Sequence, residues 1–303
     1  MTNRNPFRWF GLRISIDSNL PGVLRRSTPD PYLRVREISD HIPTTGETRS
    51  VHSDRLTWPE VGTFEIRNGE EIRYHLEPDA DPVIVRNLVL GTCLGVALAQ
   101  RDYLVLHGSV VDVDGEAMAF VGHQRAGKST TAAALLARGH NLLSDDIVAI
   151  RYEDGQPVAV PGFPYFKLDP DNFDPGTLPA EPMDRPETGR GKLYYELTGE
   201  FPTDPVPLST ISLLDSEATD GSEPRCEPLT GHDAAMTLLE HAWVARVRTS
   251  EYVESWHGDD ELSLDRFTRL AEHCTVQRLS IPHGHETLDG LGRAVESLLD
   301  TDD

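Results

Sequence analysis

Short stretches of alternating apolar and polar residues, Arg8 to Ile16, Tyr32 to Ile38, Gly62 to Arg67 and Glu71 to Leu76, are separated by Pro, Gly and Asp. They predict strands of a small β-rich lobe over residues 1–100. Asp81-Pro82 then opens an apolar stretch to Gln100, which predicts a buried linking helix with Asp as N-cap and Pro at the first helical position. From residue 101 the rhythm changes. Tyr103 to Asp112 is an apolar run, Asp114-Gly115 makes a turn, and Ala117 to Val121 resumes as a strand. A helix follows from about Lys128 to Arg138 and stops at Gly139. A second strand starts near Asn141, runs into Ser144-Asp145-Asp146 and continues as Ile147 to Tyr152. Strand, loop, helix, strand is the order of an α/β nucleotide-binding core, here assigned to residues 101–303. Dense Pro and Gly between Gln156 and Pro207 predict long loops, with helices near His232 to Val247 and Leu262 to His273.

Between the predicted strand and helix stands Gly122-His123-Gln124-Arg125-Ala126-Gly127-Lys128-Ser129, followed by Thr130. Each part of G-x-x-x-x-G-K-S has a task. The glycines let backbone N–H groups approach phosphate oxygens, the helix N-terminus adds positive potential, Lys128 reaches the outer phosphates and Ser129 offers its hydroxyl to Mg²⁺. Asp145 and Asp146 follow Lys128 by one short helix, one turn and one short strand. A right-handed crossover makes that strand parallel to the one before the loop, so both carboxylates point to the same crevice. One is then expected near Mg²⁺, and the other can accept the proton of an attacking hydroxyl.

Composition narrows the partners. A net charge of −22 over 303 residues repels a polyphosphate backbone, so nucleic acid is not expected as a partner. Only Lys128, Lys167 and Lys192 are lysines. With arginine carrying the remaining positive charge among so many Asp and Glu, this is a salt-adapted, halophilic signature. Cys93, Cys226 and Cys274 are too scattered for a disulfide framework or a C-x-x-C metal site. The longest apolar run, Leu88 to Ala99, falls short of the roughly 20 residues of a spanning helix, so a cytoplasmic protein is expected, with no membrane partner. Arg185, Arg190 and Lys192 are basic residues of the Pro/Gly-rich region that could fold over phosphates, whereas His283-Gly284-His285 reads as a surface turn.

Leu106-His107-Gly108, the phosphate loop and Arg138-Gly139-His140-Asn141-Leu142-Leu143-Ser144-Asp145-Asp146 together resemble the catalytic domain of HPr kinase/phosphorylase. The resemblance implies that His107 and Lys128 are active-site residues, Ser129 a Mg²⁺ ligand, Asp146 the proton acceptor and Asp145 its close supporter and metal-side neighbour. Phe10-Gly11-Leu12, Pro161-Gly162-Phe163-Pro164 and Lys167-Leu168 are similar to shorter HPr-kinase-like proteins found with ribosomal-peptide gene clusters. Arg125 stands where that family usually has glycine, and the family's glycine-rich, glutamate-bearing signature after the acidic pair is absent. Asp169, with Asp171, follows the acids at a similar distance and is the candidate for the remaining metal ligand.

The expectation is therefore an ATP- and Mg²⁺-dependent serine-type kinase acting on a hydroxyl of a protein, a peptide or a small molecule, with homo-oligomerisation left open. One alternative is a nucleotide-binding regulatory module without turnover, which the intact acidic pair argues against. The other is a small-molecule enzyme similar to phosphoenolpyruvate carboxykinase, whose metal-binding histidine and lysine outside the loop are not evident in the sequence.

Overall fold

A computed structural model describes residues 8–16, 33–39, 42, 53–169, 178–183, 192–215, 225–255, 263–281 and 288–299. The chain divides into two compact units, Met1–Val105 with Ala242–Ser263, and Leu106–His241 with Leu264–Asp303.

The first unit is a mixed sheet of β1 (Arg8–Trp9), β2 (Leu12–Ile16), β3 (Leu33–Glu37), β4 (Ser53–Trp58), β5 (Gly62–Arg67) and β6 (Glu71–Leu76), in the order β1-β2-β3-β6-β5-β4. Strand alternation places Leu33, Val35, Phe64, Ile66, Ile72 and Tyr74 on the buried face. The predicted strand from Arg8 to Ile16 is instead a tight hairpin, because Phe10 (φ 53°) and Gly11 (φ 70°) turn the chain and pair Trp9 with Leu12. No strand is predicted at β4, since its second residue is an acid. Asp54 is nevertheless buried, and accepts a hydrogen bond from Gln100 Nε2 at 2.7 Å.

The linking helix begins as predicted. Asp81 caps it by accepting from Val83 N at 2.8 Å, and Pro82 opens α1 (Pro82–Asn87). A π-helical stretch, Leu88–Cys93, carries the axis into α2 (Leu94–Ala99). The run Pro82–Ala99 is 18 residues long and apolar enough to cross a membrane by length and composition, but 61% of it is buried inside the protein.

The first unit does not end near residue 100. Helix Trp243–Arg248 packs on α2, and strand Val253–Ser255 extends the sheet beside β4. The segment 242–263 thus differs from the sequence-based division, which assigned it to the second domain. Its anchor is Trp243, against which a Cβ on Gly95 would stand 2.3 Å from Nε1. Gly95→Val is therefore expected to cost about 1–3 kcal/mol by overpacking. A thermal melt with an unchanged midpoint would remove this reading of the Gly95–Trp243 contact.

The second unit carries β7 (Leu104–Val113), β8 (Glu116–Val121), α3 (Lys128–Ala137), β9 (Asn141–Ser144), β10 (Ile147–Glu153) and β11 (Gln156–Val160). After these come β12 (Tyr165–Leu168), β13 (Ala180–Pro182), β14 (Leu193–Leu197), β15 (Val206–Asp215), β16 (Arg225–Leu229) and α4 (Gly231–Glu240). With Trp243–Arg248 counted as α5 and Val253–Ser255 as β17, the chain closes with α6 (Leu264–His273), β18 (Thr275–Ser280) and α7 (Leu288–Leu299). The main sheet runs β11-β10-β7-β8-β15-β18-β16, with β9 also pairing β7. This is a mixed α/β fold.

The direction expected for the acidic strand is observed, but the two strands are not neighbours. Both β8 and β9 pair antiparallel with β7, so they point the same way with β7 between them. The parallel neighbour of β8 is β15. The Pro/Gly-rich region is not only loop, for β12, β14 and β13 form a second small sheet in that order. Likewise, the helix predicted near His232 to Val247 is two helices, α4 and α5, broken at His241-Ala242 and assigned to different units.

α3 is apolar on nearly every side, and its Ala132–Leu136 stretch is buried with Phe120, Leu142, Phe166, Leu214 and Val295. Its last turn is clamped to α7. Arg138 binds Glu296 at 2.6 Å and Asp289 at 2.7 Å, and His140 lies 3.0 Å from Glu296. The Arg138-Gly139-His140 triplet therefore fixes the helix that carries the loop.

Candidate active site

β7 delivers His107, Gly108 and Ser109. Gly108 lies opposite Val121, and a Cβ there would stand 2.4 Å from the carbonyl oxygen of Phe120, so only glycine allows β8 to approach this closely just before the loop. The loop then turns through Arg125 (φ 68°) and Gly127 (φ 98°), and Gly127 is the N-cap of α3. Lys128 is folded back over the loop. Its Nζ donates to the carbonyl oxygens of Gly122 at 2.9 Å and His123 at 2.8 Å, which draws the loop into a ring at the helix N-terminus. Lys128 and Ser129 are buried in the first turn of α3.

Arg125 keeps the left-handed conformation that glycine takes without strain, at about 1–2 kcal/mol for an L residue. Glycine's own greater chain entropy in the unfolded state offsets most of this. Arg125→Gly is thus expected to change stability by no more than about 0.5 kcal/mol, while Arg125→Val, β-branched at the same φ, loses about 1–2 kcal/mol. Equal melting temperatures for the two variants would contradict the strain.

At the same end of the sheet, β9 gives way to β10 at Asp145-Asp146. Asp146 has φ 68°, which interrupts strand alternation and lets both carboxylates face β12. Asp145 Oδ1 accepts from Ser109 Oγ at 2.6 Å, and its Oδ2 accepts from the backbone N of Lys167 at 2.9 Å. Asp146 Oδ2 forms an ion pair with Lys167 Nζ. One residue of β12 is therefore held by both acids. The lysine also lies over the Tyr194 ring, 5.0 Å from its centroid, from the paired position on β14.

His107 Nδ1 is 3.2 Å from the Asp146 carbonyl oxygen, and its backbone N donates to His241 O at 2.9 Å. Lys192, one residue before β14, places its Nζ 3.3 Å from Ser129 Oγ. The sites predicted on Lys128, Ser129, His107 and the acidic pair thus come together in one unit, joined by Lys167, Lys192 and His241. Asp169 follows β12, and among the described residues no three His, Cys, Asp or Glu side chains gather as a metal-holding group. Asp171, Arg185, Arg190, His283 and His285 lie outside the described residues.

The two acids differ electrostatically. Burial and the neighbouring Asp146 charge raise the Asp145 carboxyl above its ordinary range, against the lowering effect of Ser109 and Lys167 N. For Asp146 burial also pushes upward, but the Lys167 charge and hydrogen bond outweigh it, and His107 and Lys192 add to them, so this carboxyl is held low. Lys167 is shifted upward by the same pairing. Asp146 therefore keeps its charge to lower pH than Asp145, and its side chain keeps 30% exposure.

His241 shows the opposite case of burial. Its imidazole is lowered to about 4, first by burial and then by His123 and Lys128, against a raising effect from Glu240. Between about 6.5 and 4 the unfolded chain binds this proton and the folded protein does not, so stability is lost as pH falls through that window, up to roughly 3 kcal/mol. His241→Gln should flatten the loss. Urea unfolding of both proteins at pH 7 and pH 4.5 checks it, and equal losses would exclude His241 as the source.

Comparison with known proteins places the resemblance on this region. Residues 97–161 match the family described as HPr Serine kinase C-terminal domain. An HPr kinase/phosphorylase of Clostridium botulinum is 50% identical over 50 residues, 16% of each chain, and one of Limosilactobacillus reuteri is 30% identical over 135 residues, 41% of this chain and 42% of the relative. The chain thus spans less than half the length of these relatives. A solved structure described as the Hpr(Ser) kinase/phosphatase from Coxiella burnetii aligns with a TM-score of 0.31 at 14% identity, covering 65% of this chain and 93% of that one. The matched segment spans the hairpin, the loop, α3 and the acidic pair, and it is HPr-kinase-like.

Proposed function

We propose that this HPr-kinase-like chain is an ATP-dependent phosphotransferase that moves the γ-phosphoryl group to a hydroxyl, with serine in a protein, a peptide or a small molecule as the acceptor class. The observation that carries the reading is the meeting, at one end of the sheet, of a ring-shaped loop on a helix N-terminus with an ionised, part-exposed carboxylate. The charge and turn of this loop favour a triphosphate as its ligand. The left-handed Arg125 and Gly127 turn the loop around the start of α3, whose dipole favours anions, and Lys128 supplies a buried ammonium.

In the proposed transfer the loop amides and Lys128 hold and neutralise the phosphates while the acceptor hydroxyl is placed beside Asp146. Asp146 takes the hydroxyl proton as the acceptor oxygen bonds to the γ-phosphorus. The bond from that phosphorus to the bridging oxygen breaks, and ADP leaves with the electron pair. His107 steadies the backbone turn at Asp146, and Asp145 fixes β12 through Lys167 N. By this reading the kinase domain is the second unit, in place of the continuous 101–303, and the protein is cytoplasmic.

Incubation of the pure protein with γ-labelled ATP and candidate acceptors tests the proposal. Label on a peptide or protein, stable to acid and released by alkali, is the expected result. A labelled metabolite in place of a labelled peptide or protein would narrow the acceptor to a small molecule, and ATP binding without any transfer would leave the regulatory module.

A further inference from the structure

The oxygens expected to hold a protein-bound metal are engaged by protein donors, a hydroxyl in one case and nitrogens in the others. Ser129 Oγ faces the ammonium of Lys192 at 3.3 Å. Asp145 has one carboxylate oxygen on Ser109 and the other on the backbone N of Lys167. Asp146 is paired with the Lys167 ammonium. Two of the chain's three lysine side chains, Lys167 and Lys192, thus meet these oxygens, and the third, Lys128, closes the loop. Arginine serves everywhere else on this acidic protein, yet Lys128, Lys167 and Lys192 all converge on the loop and the acidic pair. A lysine ammonium is a compact point charge with three donors, closer to a small cation than the broad guanidinium fork. Its presence on Asp146 and on Ser129 puts fixed positive charge where a divalent ion would otherwise be bound.

Resting on the phosphotransferase reading, we infer that Lys167 and Lys192 take the place of a protein-held metal: the acidic pair and Ser129 do not form a divalent-cation site, and the fixed cations of the centre are lysines. Lys167 is then a positioning residue that holds the Asp146 carboxylate, and Lys192 is a phosphate-facing ammonium at Ser129. The donor set does not fit Mg²⁺ bound through Ser129 and Asp145. Any divalent ion accompanying the nucleotide would be held by its phosphates and by water.

The test needs no nucleotide, so it stands apart from the assay of transfer. Mn²⁺ is titrated into the wild type in molar KCl, which screens surface carboxylates, and bound ion is read by electron paramagnetic resonance. The wild type should show no single site below millimolar concentration, whereas Lys167→Met should gain one that Asp146→Asn, added to it, abolishes. A wild-type site lost in Asp146→Asn overturns the inference, as does a folded Lys167→Met that gains none. Amine acetylation followed by mass spectrometry gives a reading without a variant. Millimolar Mn²⁺ should leave the rates at Lys167 and Lys192 unchanged, and a severalfold rise at either, from displacement by metal, would overturn the inference.

Discussion

Lys128→Ala should lower phosphoryl transfer from ATP by roughly 10²–10³, the scale on which one preorganised donor to a charged transition state acts. The side chain is buried and closes the loop on the Gly122 and His123 carbonyls, so in the proposed transfer its loss removes both the charge that meets the phosphates and the clasp that shapes their cradle. The fold should survive, because α3 is held from the other side by Ala132–Leu136 and by Arg138 on α7. Steady-state rates with thermal melts check this. A folded variant that keeps more than about a tenth of wild-type turnover would count against the phosphate role of the loop.

Asp146→Asn should keep ATP affinity within a few-fold while slowing transfer by roughly 10²–10⁴, the usual contribution of a positioned general base. Asp145→Asn should act differently. Its two oxygens are committed to Ser109 and Lys167 N, and an amide can offer an acceptor to only one of them, so the main loss is in stability, about 1–3 kcal/mol. Calorimetry for binding, initial rates for turnover and urea unfolding for stability separate the two. Exchange of these behaviours, with Asp145→Asn slow but stable and Asp146→Asn unstable but active, would reassign the base.

Local sequence was enough for what depends on neighbours in the chain. Asp81-Pro82 opens a helix because a cap and a fixed φ act within one turn, and Gly122 to Ser129 between a strand and a helix needs few other residues to be recognised. The meeting of the acids with the loop could be read because a short crossover limits where Asp145 can go. Long-range pairing was not legible. That β7 lies between β8 and β9, or that β15 is the parallel neighbour of β8, depends on sheet order, which no local pattern states. The same holds for Trp243, whose partner Gly95 is far away in the chain, and for Lys167, whose strand β12 is too short and too close to prolines to stand out. One signal was available for Lys167, the missed site residue: a chain with only three lysines, of which Lys128 and Lys192 already stand as candidates to meet phosphates, gives reason to ask what the third does.

The binding of ATP to the loop is the step on which the proposed activity rests, and titration calorimetry measures it without knowledge of the acceptor. The wild type should bind one ATP per chain with a dissociation constant in the range of about 1 μM to 1 mM usual for enzyme substrates, and Lys128→Ala should weaken ATP more than ADP, since the lysine is placed for the outer phosphates. No heat of binding at millimolar ATP, or an affinity that Lys128→Ala leaves unchanged, would contradict the assignment of Gly122 to Ser129 as the nucleotide site.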